Sequence, residues 1–143
     1  MSFADFITNQ GWKIKKDHYL HLVQVAEIDG KIDQTEMDFL HREGRKFGLS
    51  DPEIDAIIDK ERDYQYVPPY SLHEKFEELY NISVLILADE VVTESEKRMI
   101  RRYAIAAGFN NEVVEGILGI LLEGVAKGED EEKLLKVFKK KYL

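Results

Sequence analysis

The sequence predicts an all-α protein of about seven helices, six of them forming two pseudo-twofold related three-helix units. Three observations carry that reading. Apolar residues recur at helical spacing, capping signals open successive stretches, and a shift of 60 residues lays one half of the chain over the other.

Tyr19, Leu22, Val23 and Ala26 make the first apolar stripe, which breaks at Asp29-Gly30. Asp33-Gln34-Thr35-Glu36 reads as an N-cap with a capping-box glutamate, because a glutamate three residues on can reach back to the cap's free N–H. Met37, Leu40, Gly44 and Phe47 are the inward stripe of that helix, and Gly48 stops it. Ser50-Asp51-Pro52 opens a third helix with Ile54, Ile57 and Ile58 on its apolar face, and the proline sits where a missing N–H does no harm. Pro68-Pro69 forbids a helix across 61–70, a linker whose Tyr64, Tyr66 and Tyr70 are expected to pack onto the core.

Ser71 to Glu74 is a second box, opening a helix through Phe76, Leu79, Ile82 and Leu85 to about Ala88. Thr93 to Glu96 is a third, followed by Met99, Ile100, Tyr103 and Ala107, with Gly108 as the stop. Asn110 caps an apolar helix over 113–125, expected to be largely buried, in which Gly116, Gly119 and Gly124 mark close backbone contact. Asp130 opens the last helix, with Leu134, Leu135, Phe138 and Tyr142 facing in.

The overlay needs no gap. Leu22 falls on Ile82, Val25 on Leu85, Asp29 on Asp89, Glu36 on Glu96, Leu40 on Ile100, Gly48 on Gly108 and Ile57 on Ile117. One domain over 1–143 is therefore expected, with repeat one at about 16–60, the linker, repeat two at about 71–126 and a C-terminal helix at about 130–142.

Composition narrows the function. The chain has 143 residues, 44% hydrophobic and 34% charged, which suits a core with a charged surface. Its charge of 20 − 28 = −8 repels phosphate backbones, so cations or basic protein surfaces are expected as partners and nucleic acid is not. With no cysteine there is no disulfide, thiolate zinc site or cysteine nucleophile. The first residues lack an apolar core with a cleavage site, and the run Ile82–Ala88 is too short to span a bilayer, so a cytoplasmic location is expected.

No glycine-rich phosphate loop or zinc signature is present, and a non-enzymatic role is expected. His18 and His21 have ligand-like spacing without a third ligand nearby in sequence, while His41 and His73 are isolated. From Lys133 onward the chain carries five lysines and no acid, which suits the C-terminal end of a helix dipole, with an anionic membrane or partner as the alternative.

The acidic turn Ala26-Glu27-Ile28-Asp29-Gly30-Lys31-Ile32-Asp33-Gln34-Thr35-Glu36 is like the second half of an EF-hand loop. In that register Val25 takes the first ligand position and offers no oxygen, so a true EF-hand is rejected. Two readings remain for the acids. Glu36 and Glu96 can be cap partners alone. Alternatively Asp29, Glu36, Asp89 and Glu96 converge across a twofold to hold a hard divalent cation, Ca²⁺ or Mg²⁺.

The pattern Ala26-x-x-Asp29-Gly30-Lys31-Ile32-Asp33-x-x-Glu36, followed by a helix ending in Phe47-Gly48-Leu49-Ser50, resembles the tellurite-resistance TerB family. That family includes the N-terminal domain of some membrane-anchored J-protein co-chaperones. The resemblance covers about residues 20–125, and the second turn departs from it with Glu90-Val91 in place of Gly-Lys. It implies an all-α fold with pseudo-twofold repeats and an acidic cluster for a divalent cation at Asp29, Glu36, Asp89 and Glu96. The expected function is thus a cytoplasmic, stress-response interaction domain. It would bind other proteins, with a membrane-associated complex as one setting, as a monomer or weak homodimer. The alternative is a metal-free protein–protein scaffold whose acids are helix caps.

Overall fold

A computed structural model describes residues 6–7, 13–14, 16–28, 30–89 and 91–143. Their regular structure is helical apart from one antiparallel pair, β1 (Phe6–Ile7) with β2 (Lys13–Ile14), in which Phe6 faces Ile14 and Ile7 faces Lys13. The helices are α1 (Lys16–Ala26), α2 (Gln34–Lys46), α3 (Asp51–Glu61), α4 (Leu72–Ile86), α5 (Glu94–Ala106), α6 (Asn111–Ala126) and α7 (Glu131–Tyr142). A 3₁₀ turn, Leu87–Asp89, continues α4.

The caps set these boundaries. Asp33, Ser50 and Thr93 each accept the N–H of the third helical residue, while Glu36, Glu53 and Glu96 return a carboxylate to the cap's own N–H. Ser71 makes half a box, because the Glu74 carboxylate takes the serine hydroxyl at 3.0 Å instead of the backbone. Asn110 caps α6 without a side-chain hydrogen bond. Moving α2 along the chain by 60 residues gives both ends of α5. Gly48 (φ 82°) and Gly108 (φ 104°) close these two helices in the left-handed region that glycine alone enters cheaply.

The first three helices contact one another, and so do the next three. α1 meets α2 and α3 and α2 meets α3, as α4 meets α5 and α6 and α5 meets α6. Between the two sets, α1 and α2 each touch both α4 and α5, and α7 lies across α4 and α6. This wraps α4 from nearly every side. Its residues Glu78 through Ile86 are all buried, whereas α6 keeps a solvent stripe at Glu115, Gly119 and Glu123. The helix enclosed most completely is therefore α4 and not α6, because one side of α6 stays open to solvent. Ile117 and Leu121 still lie in the core at 0% exposure.

Of the linker tyrosines, Tyr66 packs onto the core, while Tyr64 and Tyr70 are exposed. The α6 glycines differ in the same way. A Cβ on Gly124 would lie 2.8 Å from Leu134 Cδ1 and 3.1 Å from its Cγ, and one on Gly116 would run into the Tyr142 ring, but Gly119 faces open space. Among the described residues no helix is long and apolar enough to cross a membrane.

Gly119→Ala should therefore raise stability by about 0.5–1 kcal/mol, through the helix entropy that glycine forfeits. Gly124→Ala should lower it by about 1–3 kcal/mol through overpacking against Leu134. Urea unfolding midpoints of the two variants, moving in opposite directions from the parent, check both.

Candidate functional site

Glu36 and Glu96 do more than cap. One carboxylate oxygen of Glu36 accepts the Asp33 N–H at 2.9 Å, and the corresponding oxygen of Glu96 accepts the Thr93 N–H at 2.9 Å. The second oxygen of each reaches across the α2–α5 interface to a cation of the other helix. Arg102 Nη1 binds Glu36 Oε2, and Arg42 Nε lies 3.3 Å from Glu96 Oε2. Arg42 and Arg102 are themselves 60 residues apart, but Arg102 hydrogen-bonds Glu36, whereas at Glu96 the hydrogen bond comes from Lys46 and Arg42 stands within ion-pair distance.

Each turn adds a helix end. The last carbonyls of a helix carry partial negative charge and lack intrahelical donors. Arg102 Nη2 donates to Val25 O at 3.5 Å, at the end of α1. At the end of α4 the corresponding carbonyl, Leu85 O, is taken by Lys46 at 3.0 Å. The same ammonium donates to Ile86 O at 3.1 Å, to Glu43 Oε1 at 2.8 Å and to Glu96 Oε2 at 2.9 Å. Four oxygens thus surround one Lys46 nitrogen, in a pocket where Glu43 and Glu96 are both fully buried.

Two buried carboxyls beside one ammonium divide the protonation between them. Burial above all, and then the neighbouring Glu96, push Glu43 well above the ordinary carboxyl range. Burial also opposes ionisation of Glu96, but hydrogen bonds from Glu43, the Thr93 N–H and Lys46 outweigh it and bring Glu96 down to about 2. A proton on Glu43 gives its second oxygen, which faces no donor, a hydrogen bond to make to Glu96.

The other two acids of the turns are placed differently. Asp29 lies outside the described residues, and of Asp89 the structure describes the backbone, which ends the 3₁₀ turn. Glu36 and Glu96 do not share a partner. Glu36 pairs with a residue six positions beyond Glu96 on α5, about 9 Å along the helix axis. Among the described residues no three or more His, Asp or Glu side chains are grouped so as to hold a metal ion.

Beside the first turn runs an open groove of about 660 Å³, lined by Gln24, Glu27, Ile28, Met37, Tyr64 and Tyr66 among others. Burial chiefly raises the Glu27 carboxyl, Arg62 opposes this, and Glu61 and Asp63 add to it.

A second polar centre has no capping signal to announce it. Glu78, buried on α4, accepts from Tyr103 Oη at 2.5 Å and Tyr66 Oη at 3.1 Å, and its other oxygen lies 3.1 Å from His21 Nδ1. Burial resists its ionisation, but the bonds from His21 and Tyr103 and the potential of His21 and His18 hold it below the usual range. Both phenols are pushed far up, first by burial and then by this carboxylate, so they stay protonated and donate. The network ties the linker, through Tyr66, to α1, α4 and α5. In sequence the only hint was a glutamate inside an otherwise apolar stripe and the His18–His21 spacing. His41, isolated in sequence, likewise bridges Asp51 at 2.8 Å and Asp55 at 2.7 Å on α3.

Glu96→Gln should cost about 1–3 kcal/mol, because Arg42 and Lys46 lose a charged acceptor while Glu43, freed of its acidic neighbour, ionises beside Lys46 and offsets part of the loss. The Glu96 contribution is present above its unfolded pKa of about 4.3 and is lost as pH falls toward about 2. Glu43 has the opposite sign: its raised pKa makes the parent lose stability as pH rises above about 4.3. Glu43→Gln keeps the neutral form, so in urea titrations run upward from about pH 5 it should gain on the parent with rising pH until Glu43 itself ionises in the folded protein, and then gain no more. Compared with family models, curated proteins and solved structures, the chain matches none.

Proposed function

We propose a non-catalytic, cytoplasmic helical scaffold of TerB-like, pseudo-twofold architecture, which acts by binding other proteins and whose acidic turns are structural. One observation carries the reading. The second oxygens of Glu36 and Glu96 are each taken by the chain's own cations, Arg102 in one turn and Arg42 with Lys46 in the other.

The exchange of partners between positions 60 apart supports the twofold, since an isologous interface requires that each contact recur with its roles reversed. The pairing of α1 and α2 with both α4 and α5 supports it in the same way. A divalent ion at Glu36 or Glu96 would have to displace a guanidinium or an ammonium already hydrogen-bonded to helix-end carbonyls. Binding of proteins is supported by the groove beside the first turn, whose rim residues Ile28 and Tyr64 are 56% and 57% exposed. Exposed apolar side chains around a concavity are what a partner's side chain would cover. The TerB resemblance supplies the stress-response setting.

Millimolar Ca²⁺, Mg²⁺ or Mn²⁺ should shift the melting temperature no more than an equal ionic strength of NaCl does. A larger shift that disappears in Glu36→Gln/Glu96→Gln would restore the cation site. A double-mutant cycle on Glu36→Gln and Arg102→Met should give a coupling of about 0.5–3 kcal/mol. The corresponding cycle on Glu96 and Arg42 should give a coupling of the same sign, and coupling in one pair alone would count against the twofold.

A further inference from the structure

The charge of this chain is segregated. Residues 133–143 contain five lysines and no acid, so the rest of the chain carries 15 − 28 = −13. All five lysines are exposed, while Leu134, Leu135 and Phe138 bury the opposite side of α7 against α4 and α6. At about 100° per residue, Lys133, Lys136, Val137 and Lys140 fall within one outward stripe, flanked by Lys139 and Lys141. Lys133 is held by Glu129 at 3.2 Å. Among the described residues no ion pair involves Lys136, Lys139, Lys140 or Lys141.

We propose that this outward face of α7 docks the protein on an anionic membrane surface, orienting the rest of the domain away from it. The helix dipole accounts for cations in the last turn. It does not account for Lys136, one turn earlier, nor for Val137 left 42% exposed within the lysine stripe. A convex helix face cannot enclose a peptide. Lysines without arginine act as strongly hydrated point charges and form no bidentate forks, which suits a diffuse sheet of headgroups over a fixed phosphate. Glu129, Glu131 and Glu132 sit at the N-terminal end of α7, while a helix is about 10–12 Å across, so acids on the elements behind it stand about one Debye length or more from a surface its outer face touches. Their repulsion is screened, and the dipolar charge distribution turns α7 toward the membrane. Val137 adds an apolar contact at the headgroup level.

The test is co-sedimentation of the full chain with phosphatidylcholine vesicles, with and without about a third phosphatidylserine, in low salt and at ~0.5 M NaCl. Binding should require phosphatidylserine and be lost in high salt. Lys136→Gln should weaken it roughly five-fold, and Lys136→Gln/Lys140→Gln roughly 25-fold. Glutamine keeps helix propensity, and unchanged circular dichroism would show that the fold survives. Equal binding to phosphatidylcholine alone, or indifference to the lysine variants, would overturn the proposal. So would tighter retention by duplex DNA than by the vesicles, which would mark α7 as a nucleic-acid surface.

Discussion

A carboxylate held at a helix N-terminus and buried at a helix crossing must find a cation, because burial penalises unpaired charge more than any cap repays. Glu36 and Glu96 impose that requirement on this fold. Each is fixed by its own capping box, which sets the start of α2 or α5. Each then needs a cation that only the other helix can deliver, which sets how α2 and α5 lie against one another. The cations also close the C-terminal carbonyls of α1 and α4, so one cation cluster joins the start of α2 to the end of α1 and another joins the start of α5 to the end of α4.

Much of this was legible in the sequence because it is local. A capping box is a four-residue signal, and a stop glycine needs only its own backbone. The boundaries of α2, α3 and α5 were therefore readable without any tertiary contact. Burial was less so. The α6 segment is more apolar than α4, yet α4 is the enclosed helix, since which neighbours arrive depends on packing between units and not on the composition of one segment. The polar partners were hidden for the same reason. Arg102 lies 66 residues from Glu36 and Lys46 lies 50 from Glu96. Nothing in either neighbourhood predicts the pairing, although the recurrence of arginine at 42 and 102 was present in the register and would have been the signal to follow.

Glu78 shows the same limit from the other side. Its donors come from α1, the linker and α5, three segments far apart in the chain. A glutamate in an apolar stripe looks like an exposed residue until those donors converge on it. With them it becomes the anchor of an otherwise irregular linker, and this explains why Tyr66 packs while Tyr64 and Tyr70 do not.

Several residues 60 positions apart differ in polar chemistry. Position 43 is a glutamate and position 103 a tyrosine; position 18 is a histidine and position 78 a glutamate; position 46 is a lysine and position 106 an alanine. Repeating Glu43 at 103 would set a second buried carboxyl against Glu78, and two such groups repel unless one is protonated or a further cation arrives. Tyrosine instead supplies a donor, and Glu78 is satisfied at 2.5 Å. In the other half, Glu43 is tolerated because Lys46 reaches it, and Ala106 offers no counterpart. Glu43 and Glu78 are thus neutralised in different ways, one by an ammonium and the other by two phenols with a histidine. A buried apolar side chain needs only a neighbour of the right shape, but a buried acid needs its own donors or counter-charge, and Glu43 and Glu78 draw theirs from different elements.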